Sequence, residues 1–146
     1  MTREVISHFI FFSERVLGLL ELKWAKVIYP KDKLLCETDV LARLETRDSK
    51  CVNILASVGG AQPDRQEMTV RGTAKSRRIS EFYKDSESNG MEFIPLREEP
   101  KDPRAVSLKA QLDDLEKAYN GHPNKLATVD EALRVQVLIE SILASK

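Results

Sequence analysis

Two rhythms of apolar and polar positions run along the chain. From Glu4 to Leu17, the apolar residues Ile6, Phe9, Ile10, Val16 and Leu17 recur mostly at helical spacing among the polar Glu4, Ser7, Glu14 and Arg15, which predicts an amphipathic helix. Gly18 is its expected stop. A strand-like run from Leu20 to Tyr29 ends at Pro30, and Lys31-Asp32-Lys33 reads as a turn. Between Thr38 and Glu45 the pattern changes to strict alternation, with Val40, Ala42 and Leu44 on one face, and Val52, Ile54 and Ala56 repeat it. The polar connector Thr46-Arg47-Asp48-Ser49-Lys50 has hairpin length, so these two runs are expected to pair antiparallel.

Beyond Gly59-Gly60 and Pro63-Asp64, two short strand-like runs, Glu67 to Arg71 and Lys75 to Phe82, flank Gly72-Thr73-Ala74 and predict a second hairpin. Asp85 to Gly90 reads as a turn-rich segment, Met91 to Leu96 as one short edge strand, and Arg97 to Arg104 as a proline-bearing connector. Two helices close the chain. Leu108, Leu112, Leu115 and Tyr119 step along the first, from Val106 to Asn120, which is expected to end in a left-handed cap at Gly121. Thr128 stands three positions before Glu131, the spacing of a capping box, and Ala132, Val135, Leu138, Ile139 and Ile142 supply the apolar stripe of the second.

One leading helix, five or six strands in hairpins and two trailing helices predict a single α+β domain over residues 1–146, with helices gathered on one face of an open, mainly antiparallel sheet. Leu41 beside Val40 and Leu55 beside Ile54 put apolar side chains on both faces of that sheet, so self-association through the open face is expected.

Composition narrows the partners. The chain has 146 residues, enough for one ordinary domain, and its 23 basic and 23 acidic residues cancel, leaving no global field to draw it to nucleic acid or anionic lipid. The apolar stretch from Val5 to Leu20 is interrupted by Ser7, His8, Ser13, Glu14 and Arg15, which excludes a membrane span or signal peptide there, and a cytoplasmic location is the default expectation. Cys36 and Cys51 lack metal-ligand spacing and read as core or near-core thiols, with a disulfide between neighbouring strands the minor alternative. Met1 and Thr2 lead almost at once into the first helix, as expected of a chain cut from something longer.

Chemistry is sparse. No G-x-G-x-x-G, Walker loop, H-E-x-x-H or nucleophile elbow occurs, and Gly59-Gly60 is followed by no helix whose amino terminus could hold a phosphate, so the pair reads as a turn. His8 follows Glu4 by four positions on the predicted helix, which places imidazole and carboxylate on one face. Such a pair can take a proton from a hydroxyl near neutral pH; a surface histidine in a helical ion pair is the plainer reading of the same spacing. His122, between Gly121 and Pro123, reads as a loop residue. Arg65, Arg71, Arg77 and Arg78 could meet an anionic substrate or simply form a solvated sheet edge paired with Asp64, Glu67 and Glu81. No aromatic residues interleave with them in the manner of a nucleic-acid platform.

The run from Leu126 to Leu143, with its A-T-x-x-E-A-L-x-V-Q-x-x-I-E pattern, resembles the closing helix of the Gfo/Idh/MocA oxidoreductases, the glucose-fructose oxidoreductase and inositol dehydrogenase family. Glu4-Val5-Ile6-Ser7-His8 is similar to that family's D-x-x-x-H segment, followed as there by an apolar helix and a glycine, Gly18. The resemblance spans nearly the whole chain and implies a carboxy-terminal, substrate-binding and oligomerisation domain. It implies that His8 is the catalytic acid/base and Glu4 its partner, that a lysine from the other domain joins them, and that the substrate is a sugar, polyol or similar hydroxyl compound. NAD or NADP would belong to the parent enzyme and no cofactor to this chain, because the Rossmann half is absent from it, and the isolated chain is expected to be inactive. Glu4 is one methylene longer than the family's aspartate, a difference of about an ångström at the carboxylate. A non-catalytic interaction or small-ligand-binding module on the same scaffold is the alternative from a different class.

Overall fold

A computed structural model describes residues 1–32 and 34–145. Lys33, the last residue of the expected Lys31-Asp32-Lys33 turn, lies outside the described residues. In order, the elements are a π-helical segment Thr2–Ile6, α1 (Ser7–Leu17), β1 (Leu20–Ile28), β2 (Asp39–Thr46), β3 (Cys51–Ser57), β4 (Glu67–Arg71), β5 (Ser76–Ser80), β6 (Lys84–Ser88), β7 (Ile94–Pro95), α2 (Pro103–Tyr119) and α3 (Val129–Leu143). The architecture is α+β with all strands antiparallel, as the patterning indicates. The strands form two open sheets, ordered β1-β2-β3 and β4-β5-β6-β7. The chain accordingly divides into two compact units, one of Met1–Gln62 with Ala127–Lys146 and one of Pro63–Leu126.

In the first unit, alternation in β2 sends Val40, Ala42, Leu44 and Thr46 into the interior. The helices close over that face: Ile6 and Ile10 from the opening helix and Val135, Leu138, Ile139 and Ile142 from α3 join Leu20 and the β2 residues in one buried cluster. These buried stripes set how both helices lie on the sheet, with Phe11 and Leu143 packed at their margin. Ser13 is buried in the same stripe because its hydroxyl donates to the Phe9 carbonyl at 2.7 Å, while Val16 is exposed. Gly18, at φ +103°, ends α1, and its N–H donates to the Glu14 carbonyl at 2.9 Å.

The opposite face of this sheet is uncovered. Leu41 pairs with Leu55 across β2 and β3 and with Lys26 across β1, and Trp24, Ile28, Leu41 and Leu55 are all exposed, Leu55 at 82%. The apolar second face expected from the sequence is therefore present. Cys51 lies at the edge of the same face. Neither cysteine is a core thiol: Cys36 and Cys51 are both free and exposed, because Cys36 falls in the loop after β1 and Cys51 occupies the outward phase of β3.

In the second unit, the β4–β5 hairpin turns at Gly72, whose N–H donates to the Lys75 carbonyl at 3.1 Å; a Cβ there would meet that oxygen at 2.5 Å. The segment read as turn-rich contributes β6. Its polar sequence, Lys84 to Ser88, pairs in full register with β5, and the left-handed Glu81 and Phe82 make the tight connection. The α2 helix starts on a side-chain cap from Asp102 with Pro103 at its first position, and Gly121, at φ +71°, follows its end. Leu108, Leu112, Leu115 and Tyr119 form its expected stripe, but all four are exposed. Among the described residues, no helix is long and apolar enough to cross a membrane.

Candidate functional site

Both residues singled out for proton transfer lie on the opening helical stretch. Glu4 is in the π-helical segment and His8 is the second residue of α1; both are exposed, facing away from the buried Ile6 and Ile10. Their stretch is tied to the rest of the unit at three points. The Thr2 N–H donates to Glu37 Oε1 at 2.5 Å, the Arg3 guanidinium grips Glu140 of α3 through two bonds of 2.8 Å, and the Arg15 guanidinium grips Glu131 at 3.0 and 2.9 Å. The π-helical segment and the last turn of α1 are thus clamped to opposite ends of α3, with the buried stripe between.

Glu131 has two tasks. It completes the expected capping box, its carboxylate accepting the Thr128 N–H at 2.8 Å while the Thr128 hydroxyl accepts the Glu131 N–H at 3.2 Å, and it receives Arg15. The hydrogen bonds from Arg15 and from the Thr128 amide hold its carboxyl down at about 2. Glu140 is likewise lowered by Arg3. Between α1 and α3, a cleft of about 60 Å³ is lined by Phe11, Glu14, Arg15, Leu19, Glu131 and Arg134. That is room for a few waters rather than for a sugar ring, and its charges are already paired, Arg134 standing 3.8 Å from Glu14.

Arg65, Arg77 and Arg78 belong to the second unit and have acidic neighbours, and Arg71 is exposed at the end of β4. Glu67 lies 3.1 Å from Arg65 and 3.5 Å from Arg78, and Arg77 lies 3.0 Å from Glu87 and 3.6 Å from Asp85, whereas Glu81 is taken by Lys84. Arg78 also stacks over the Phe93 ring at 3.7 Å. These pairs describe a solvated sheet surface. His122 lies in the loop after α2, where its N–H donates to the Lys117 carbonyl as part of the helix end. Gly59 and Gly60 both have positive φ and open space around them, and they lead to β4 rather than to a helix. The residues of this loop do not fit a dinucleotide phosphate. Among the described residues, no cluster of three or more His, Cys, Asp or Glu side chains is placed to hold a metal ion.

No family model matches the sequence, and no curated protein is similar to it in sequence. Solved structures are similar in fold. The chain superimposes over 99% of its length on KijD10, a 3-ketoreductase from Actinomadura kijaniata solved with TDP-benzene and NADP, with a TM-score of 0.71 and 16% identity. Over 94% of its length it matches the dehydrogenase MviM from Clostridium difficile, with a TM-score of 0.75 and 11% identity, and the WlbA dehydrogenase from Bordetella pertussis in complex with NADH and UDP-GlcNAcA, with 0.67 and 15%. These are Gfo/Idh/MocA-type oxidoreductases. The chain has the fold of the matched part of these enzymes. It spans less than half of each neighbour, 46%, 45% and 43% respectively, so what it shares with the Gfo/Idh/MocA enzymes is one part of their architecture.

Glu37 carries no motif and is not singled out by the sequence. Its only signal is an acidic residue just before a strongly alternating strand, which does not distinguish it from Asp32 or Asp39.

Proposed function

We propose that this chain is the carboxy-terminal, substrate-side domain of an NAD(P)-dependent oxidoreductase acting on a sugar, polyol or similar hydroxyl compound. The observation that carries the reading is a fold match across nearly the entire chain to enzymes solved with NADP or NADH, covering less than half of each. His8 is the acid/base that takes the proton of a substrate hydroxyl, and Glu4 is its partner, one turn away on the same exposed surface. The hydride carrier, NAD or NADP, is held in the parent enzyme by a Rossmann domain outside this chain. The chain alone supplies substrate contacts, a proton acceptor and, through the apolar face of β1-β2-β3, contacts to further copies of itself.

The first test is a titration with NADH and NADPH, followed by cofactor emission and by quenching of Trp24, which is itself exposed on the open sheet face. The expected result is no saturable binding; micromolar binding would overturn the division of labour. In an enzyme completed by its Rossmann domain, His8→Ala is expected to lower turnover about a hundredfold or more. Unchanged turnover would remove His8 from the chemistry and favour the non-catalytic ligand-binding reading.

A further inference from the structure

We infer that Glu37 is the positioning residue of the Glu4/His8 helix. The inference rests on the reading of Glu4 and His8 as the substrate-facing pair. The opening π-helical segment has no side-chain cap of its own. Its first N–H, that of the fully buried Thr2, would therefore lack an acceptor, whereas the Glu4 and Val5 amides already donate to the Met1 carbonyl. Glu37, from the loop between β1 and β2, fills that place from 35 residues away, accepting the Thr2 N–H at 2.5 Å. Glu37 is itself only 4% exposed, so its carboxylate is a buried charge that the helix start stabilises in return. The Met1 α-ammonium lies 3.4 Å from the same oxygen, but the Thr2 bond uses a peptide N–H and is independent of that charge.

The consequence for the site follows from position. Glu4 lies inside the anchored segment, and His8 begins the next turn. A π-helical segment is less favourable than the α-helix it replaces and persists only where its surroundings hold it. Arg3 to Glu140 steadies its exposed side, and Ile6 its core side. Glu37 is the group that holds its beginning, and with it the separation and direction of the carboxylate and the imidazole.

The test compares Glu37→Ala, Glu37→Gln and Thr2→Pro in the full chain by amide hydrogen exchange and by the His8 ring resonances. Glutamine keeps an oxygen acceptor; proline keeps helical φ at a first-turn position but removes the donor. Val40→Ala, which thins the same core but keeps the Thr2 donor and the Glu37 acceptor, is the control. The expected result is a loss of protection of about tenfold or more at residues 3–6 and displaced His8 resonances in Glu37→Ala and Thr2→Pro, recovery of both in Glu37→Gln, and an unmoved His8 in Val40→Ala. Thr2→Pro is also expected to raise the titration midpoint of the Glu37 carboxyl. If Glu37→Ala does not fold, Thr2→Pro against Glu37→Gln decides. His8 and residues 3–6 unchanged in Thr2→Pro, or moved as far in the control, would overturn the inference. These readouts need no substrate, so they fail separately from the His8→Ala turnover test.

Discussion

Replacing Ile139 with alanine separates the elements that hold the candidate site from those that do not. Ile139 is 1% exposed and lies at the centre of the cluster that joins α3 to Ile6 and Ile10 of the His8 helix and to Val40 and Leu44 of the sheet. The substitution deletes three carbons, worth about 0.8 kcal/mol each in transfer free energy, and leaves a cavity that a β-sheet on one side and two clamped helices on the other cannot readily close. The expected loss is about 3–4 kcal/mol. For a unit of about eighty residues, each kcal/mol corresponds to roughly 4–8 °C in midpoint, so the unfolding temperature should fall by at least about 12 °C. Leu112→Ala on α2 removes the same number of carbons from a side chain that is 55% exposed, and should cost no more than about 1 kcal/mol. Thermal and urea unfolding followed by Trp24 fluorescence measure the first unit, to which Trp24 belongs, and far-ultraviolet circular dichroism follows the helices. Equal losses for the two variants, or an Ile139→Ala midpoint within a few degrees of the parent, would refute the assignment of the core.

Thr128→Ala breaks the capping box and should cost about 1 kcal/mol by urea unfolding, with amide protection lost first at residues 129–132. Glu37 sets an acid limit. Burial pushes its carboxyl up, but hydrogen bonding to Thr2 outweighs burial and holds it at about 2, below the ordinary 4.5. Arg3 and Tyr29 also face it, and neither titrates in acid. A folded-state value below the unfolded one means that the unfolded chain takes up the proton first. The contribution, about 3 kcal/mol at most, is complete above about pH 4.5 and is lost as the pH falls through about 2. Acid titrations of the parent and Glu37→Gln should converge towards pH 2 and separate above pH 4.5; parallel curves would contradict this. Leu55→Glu places a charge at the most exposed apolar position of the open sheet face, and light scattering should show a lower mass for the variant than for the parent at equal concentration.

The parts of this architecture that were legible in the sequence are those where one periodicity runs uninterrupted. The alternation of β2 and β3 and the capping box of α3 are local signals, and the structure realises each within a residue or two. Segments defined by long-range pairing were not legible. β6 is polar throughout and reads as a turn, because its strand character comes from its hydrogen bonds to β5. The split of seven strands into two sheets depends on which hairpins pair, and each hairpin looks alike in sequence. The cysteines were misplaced for a related reason: their places in or beside strand-like runs suggested burial, but the phase of β3 and the position of the loop decide it. At the candidate site, the spacing of Glu4 and His8 was visible, whereas the anchor on their helix comes from Glu37, whose proximity only the fold creates.

The shared carboxylate of Glu131 makes α1 and α3 a single mechanical part. Arg15 and the first turn of α3 draw on one carboxylate, so withdrawing Arg15 from Glu131 would change the charge environment of that cap as well as of α1.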